Sequence, residues 1–178
     1  MRNLKAVIFL ILIFAGLHTQ AADWRALFER AGFMGKYAIG ASYEWSPEHA
    51  VSYLLGNYQI EGEDFYQSNL IYRYSHWQAD FFGHHWRPLQ FGVFLVYAMN
   101  NQKYFLKSPD KYPYADYYDE TALRYGVEFG STLTFMPSRV GLGYYIRVFD
   151  NGVIATFNNS KRDLQYYISS GLSLQYLF

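Results

Sequence analysis

The chain has 178 residues, no cysteine and a formal net charge of zero, and 51% of it is hydrophobic, with 19 Tyr and 15 Phe. That length holds one domain, and the lack of cysteine excludes a disulfide scaffold and thiolate metal sites while fitting an oxidising compartment. Neutral charge argues against a nucleic-acid partner, because phosphate binding needs a concentrated basic surface.

Arg2 and Lys5, the apolar run Ala6 to Leu17 and the small-residue context Thr19-Gln20-Ala21 read as a secretory signal peptide over residues 1–21. Its apolar run is shorter than the roughly 20 residues a spanning helix needs. No later segment is long and apolar enough for such a helix, so a membrane location would require a barrel. In the mature chain, residues 22–178, Asp23 can cap a helix, and Trp24, Leu27, Phe28 and Ala31 share a helical face until Gly32 and Gly35 end it. The spacing predicts a short amphipathic helix, either at a membrane interface or packed on a barrel rim.

From Lys36 the period becomes two. Tyr37, Ile39, Ala41, Tyr43 and Trp45 share one face, Ser46-Pro47-Glu48 turns the chain, and a second strand runs to about Ile60. Tyr66 to Tyr74 gives a third strand. Trp77 to Gly83 is read as a short fourth, with His84-His85-Trp86-Arg87-Pro88 as its turn. Leu89 to Met99 alternates again, followed by a long polar connection from Asn100 to Glu120. Leu123 to Phe135 and Val140 to Val148 alternate around the turn Met136-Pro137-Ser138-Arg139, and a polar loop leads to a last strand from about Leu164. Eight strands with even parity put 100–120 and 150–163 at one end and the Pro137 turn at the other, the long-loop, short-turn rule of outer-membrane barrels.

Leu172, Leu174, Tyr176 and Phe178 recur every second residue and end the chain on an aromatic. This resembles the C-terminal signature of bacterial outer-membrane β-barrels, in which the terminal Phe forms part of the signal read by the barrel-insertion machinery. The resemblance implies an all-β fold, an eight-stranded antiparallel up-and-down transmembrane barrel, a monomer, with outer membrane and lipopolysaccharide as surroundings. A soluble up-and-down barrel also alternates, but its outer face would carry many Lys and Glu. Here the polar face is Gly, Ser, Thr, Gln and Ala with isolated charges, which suits a crowded lumen.

The inward charges are predicted to be Lys36, Glu44, Arg73, Arg124, Glu128 and Arg147. Arg124 and Glu128 lie about 13 Å apart on one strand face, so they need partners on other strands. Such a network neutralises buried charge in a lumen without a pore, in preference to forming a gated conduit. The last strands are faintly similar to the outer-membrane lipid A deacylases, but the place of that family's His-x-Ser pair reads Val148-Phe149-Asp150-Asn151-Gly152, with only the Asn-Gly kept. In the palmitoyl-transferring lipid A family the active His, Asp and Ser sit on outer loops. His49, Ser75, His76 and Asp80 are the corresponding catalytic candidates, predicted at the outer rim and fixed by no local motif. His84 and His85 point to opposite faces of a strand, so no metal site is expected, and no cofactor. Tyr104, Tyr112, Tyr114, Tyr117 and Tyr118 make the long connection a candidate binding surface. The expected role is non-enzymatic, in structure or surface interaction, with a lipid A-modifying enzyme as the alternative.

Overall fold

The computed structural model describes residues 23–60, 62–99, 123–149 and 168–178. Nine strands form: β1 (Asp23–Ala31), β2 (Tyr37–Ser46), β3 (His49–Ile60), β4 (Glu63–Tyr74), β5 (Ala79–Phe81), β6 (His84–Met99), β7 (Leu123–Phe135), β8 (Val140–Phe149) and β9 (Ile168–Leu177). Eight of them pair antiparallel in a closed circuit, with β4 bonded directly to β6 and β9 back to β1. The ninth, β5, only pairs with the start of β6. The architecture is therefore a closed eight-stranded antiparallel barrel.

The register fixes its shape. The pairings lead from Asp23 through Glu44, Ala50, Arg73, Gly92, Glu128 and Arg147 to Ser169. Ser169 lies two residues past Gly171, the partner of Ala31, and so is level with residue 33: the circuit advances from 23 to 33, ten residues. At ~3.3 Å per residue against eight strands spaced ~4.8 Å apart, that offset tilts the strands by roughly 40°. The lumen is then narrow enough for side chains to fill.

Two sequence expectations change here. Residues 23–31 form a barrel strand rather than a helix. Trp24, Leu27, Phe28 and Ala31 satisfy helical spacing, but the same residues alternate, with Arg25, Leu27 and Glu29 inward and buried and Trp24 and Phe28 outward. Without this strand the edges of β2 and β9 would be left unpaired, a costly arrangement that closure removes. The expected fourth strand over 77–83 shrinks to the three residues of β5, because the tight turn at Phe82-Gly83, both with positive φ, folds it back on β6 outside the wall. The count stays at eight, but the ends change for part of the chain. His49, Ser75, His76 and Asp80 lie at the end that carries Asp23, Phe178 and the Pro137 turn, opposite the connections 100–122 and 150–167.

The apolar surface is mostly outside. Leu89, Phe91, Val93, Leu95 and Tyr97 on β6 face outward and are exposed, as are Leu172, Leu174 and Tyr176 on β9. Inside, Leu27, Ala38, Leu54, Ile71, Phe94 and Val96 pack around Met34, which the β1–β2 turn inserts into the lumen. Asn69 Nδ2 donates to the Met34 carbonyl at 3.1 Å and Gln67 Nε2 to that of Phe33 at 2.7 Å. Gly56 is what admits the turn: a Cβ there would stand 1.8 Å from the Met34 oxygen.

Candidate functional site

Four buried ions close into a ring across the lumen. Arg73 reaches Glu128 at 2.5 Å and Glu29 at 3.0 Å, and Arg147 reaches the other oxygens of Glu128 and Glu29, each at 2.7 Å. Each carboxylate thus bridges both guanidinium groups, and the ring is charge-neutral. Spare donors are used: Arg73 Nη1 donates to Ser52 Oγ and Arg147 Nη1 to the Gly32 carbonyl. Both guanidinium groups lie over the Tyr145 ring, 4.4 and 5.1 Å from its centroid. Tyr145 Oη then continues into an uncharged network of Gln90, Thr132 and Gln175, with Ser75 Oγ accepting from Gln90 Nε2 at 2.8 Å. The lumen is blocked by bonded side chains over this stretch.

Of the predicted inward charges, Glu44, Arg73, Glu128 and Arg147 are buried in the lumen. Lys36 is not: it is exposed in the β1–β2 turn, one residue before the β2 ladder begins. Arg124 lies apart from the ring, near the opposite end, with its guanidinium over the Phe149 ring at 5.3 Å. Sequence reading missed Arg25, Glu29 and Arg87. Helical spacing over 23–31 hides the first two and turn chemistry at 84–88 hides the third; period-two alternation from Asp23 is the signal that places the pair.

At the terminus end a second ionic group surrounds Glu44. Arg25 Nε and Arg87 Nη1 donate to Oε1 at 2.6 and 2.7 Å, while Arg87 Nη2 and Arg25 Nη2 donate to Oε2 at 2.9 and 3.3 Å. Two cations share one anion. This group, with Asp23 cross-strand from Glu44, borders a cavity of about 500 Å³ that opens at the barrel mouth and is also lined by Asp80, His85 and Trp86. The β5–β6 hairpin supplies the last three, because β6 begins at His84 whereas β4 meets it only from Phe91 onward.

The catalytic candidates do not converge. His49 lies against both Trp45 and Tyr72 on the outer face, with Nδ1 2.7 Å from the Tyr72 hydroxyl. His76 stacks on Tyr74 and Trp77, again outside. Ser75 is buried in the lumenal network, and Asp80 pairs with His85 at 2.6 Å instead. Neither His49 nor His76 bonds to Ser75 or Asp80 among the described residues. His84 and His85 do face opposite ways: His84 Nδ1 accepts from the Met136 amide while His85 faces Asp80. The tyrosines at 104, 112, 114, 117 and 118 and the Asp150-Asn151-Gly152 segment lie outside the described residues, as does the proposed leader.

The path of the chain resembles that of a known outer membrane enzyme. One match is to the crystal structure of the outer membrane enzyme PagL, with a TM-score of 0.45 and 12% identity over 88% of this chain and 98% of that one. No family model and no curated protein matches the sequence. Likeness at this level concerns the fold, and no residue's role is carried across.

At the terminus end Trp24, Tyr43, Trp45, His49, Tyr72, Tyr74, His76 and Trp77 form one chain of ring contacts from β1 to the segment before β5. Within it Tyr43 is 6% exposed, and its hydroxyl is buried without a hydrogen-bond partner. A buried unpaired hydroxyl costs about 1–3 kcal/mol. Tyr43→Phe should therefore leave the barrel as stable as before or more stable by about 1 kcal/mol, read from denaturant unfolding in lipid vesicles. A clear loss of stability would mean that the hydroxyl has found a partner.

Proposed function

We infer that the protein is a secreted, monomeric outer-membrane barrel that conducts nothing through its lumen and acts at its ends, as a structural or surface-interaction protein. The observation that carries this reading is the inversion of polarity: aliphatic and aromatic side chains cover the outside, while six buried charged side chains and their polar partners fill the inside. Such an exterior belongs in lipid, where a closed barrel leaves no backbone group unpaired. The aromatic chain at the terminus end supports an interfacial girdle there. The terminal Phe178 fits the insertion signal, and residues 1–21 fit a leader.

Acyl hydrolysis or transfer on lipid A needs a nucleophile beside a base. The described residues bring no such pair together, so the non-enzymatic reading is preferred. The test is expression in Gram-negative cells with membrane fractionation, unboiled gel electrophoresis, bilayer conductance and mass spectrometry of lipid A. The expected results are outer-membrane recovery, a mobility shift on boiling, no conductance above background and unchanged acyl mass. Soluble periplasmic protein would sink the membrane location, steady conductance the sealed lumen, and a protein-dependent acyl change the non-enzymatic role.

A further inference from the structure

We propose that the low side of the barrel, at the β1–β2 turn, binds the phosphate of an anionic membrane lipid through Arg30 and Lys36. The inference rests on the membrane reading above and starts from unequal wall height. At ~3.3 Å per residue and a tilt of roughly 40°, each residue along a strand climbs ~2.5 Å, and each register step from β1 toward β9 adds ~3 Å. Measured from the level of Asp23, the outward Trp24 and Trp45 lie at ~1–3 Å and the outward Tyr66, Tyr97 and Tyr125, at the far end, at ~23–27 Å. The two sets of rings thus stand apart by roughly the 25 Å height of the apolar band on an outer-membrane barrel.

On the β1–β2 side the wall stops sooner. β1 ends at Ala31 and β2 begins at Tyr37, both ~20 Å up, and the turn between them folds Met34 into the lumen instead of rising further. Arg30, the last member of the outward row of β1, stands at ~17 Å, between the levels of Val93 and Leu95 on the opposite side of the barrel. It is exposed, and its register partners, Tyr37 on β2 and Leu172 on β9, are outward and uncharged. Among the described residues it pairs with no carboxylate; its guanidinium lies over the Tyr37 ring, 5.8 Å from the centroid. Lys36, also exposed, directly precedes Tyr37, and its carbonyl accepts from the Ala31 amide at 3.4 Å.

A bare guanidinium at that height would face hydrocarbon, which is costly and rare. Two responses relieve it together. The long side chain extends to the Tyr37 ring at the rim, and the bilayer thins beside a wall that is too short. A phosphate drawn down to the rim then meets two cations, and its oxygens match the planar donor fork of arginine. The flanking side chains choose the source. Phe28, Ile39 and Leu172 continue the lipid-facing wall, so the anion held here brings acyl chains with it, which free phosphate cannot.

The experiment uses the mature barrel refolded in a neutral detergent and offered equal amounts of phosphatidylglycerol and phosphatidylcholine, with native mass spectrometry identifying the first lipid retained. One basic residue at a lipid surface is worth about fivefold toward an anionic lipid, so phosphatidylglycerol should be favoured by about tenfold or more. Arg30→Gln should cut that preference about fivefold, and Arg30→Gln with Lys36→Gln should remove it. Arg139→Gln, which deletes an exposed cation at the terminus end, should leave it unchanged. Arg30 and Lys36 lie outside the lumenal networks, and the boiling-dependent gel shift checks that each variant folds. The proposal is overturned if the parent shows no preference, if the double variant keeps it, if Arg139→Gln loses it equally, or if excess inorganic phosphate displaces the lipid. Insertion into phosphatidylcholine vesicles reads the membrane assignment separately: a barrel that inserts without the preference sinks the site alone, and one that does not insert sinks both.

Discussion

Replacing Arg147 with alanine is expected to destabilise the barrel by about 3–5 kcal/mol, the cost of breaking a buried pair by removing one partner. Arg147 is 0% exposed and donates to Glu128, Glu29 and the Gly32 carbonyl. Its loss leaves two buried carboxylates facing the single cation of Arg73, and strands the carbonyl as well. Arg147→Lys should recover only part of the loss, because a point charge cannot serve three acceptors through a planar fork. Removing the ring more evenly, as Arg147→Met with Glu128→Gln, should cost less than the single alanine change, since neutrality is kept. Denaturant unfolding in vesicles measures all three, and an alanine variant within about 1 kcal/mol of the parent would show that the ring is not what stabilises this lumen.

The ring also explains which parts of the fold were legible. Alternation placed Tyr37 to Trp45, Leu123 to Phe135 and the final strand, because a wall with lipid-like residues outside and small polar residues inside writes its period directly into the sequence. It failed at β1, where four apolar residues also met helical spacing, and only the requirement that every edge be paired decides between the two readings. It failed again at β5, because whether a short alternating stretch joins the wall or folds back beside it depends on the Phe82-Gly83 turn and on β4 finding β6. That Glu128 needs partners across strands is legible; that Glu29 is one of them is not, since its stretch also satisfies helical spacing. His85 and Asp80 are five apart in sequence, and only the hairpin makes them neighbours.

With β1 in the wall, His49 and His76 belong to the terminus end, among its outward aromatics. The chemistry that does assemble at this end is ionic and borders a cavity.

The membrane assignment makes a depth-dependent prediction. Val93 lies midway along the outward row of β6, flanked in register by Tyr72 and Val127, and is 45% exposed. Arginine on the lipid face costs about 2–4 kcal/mol at the bilayer midplane and about 0–1 kcal/mol near the interfaces. Val93→Arg should therefore lose about 2–4 kcal/mol in vesicles, whereas Leu89→Arg, nearer the aromatic girdle, should lose about 1 kcal/mol or less. Val93→Ala separates lost packing from the charge, since it removes the same contacts and adds no ion. In water an exposed arginine on an apolar strand face would cost little at either position, so equal and small losses would mean that this surface does not face hydrocarbon. A steep difference between 93 and 89 is the result that a membrane-spanning wall requires, because only a bilayer makes the same substitution expensive at one height and tolerable two turns of the pleat away.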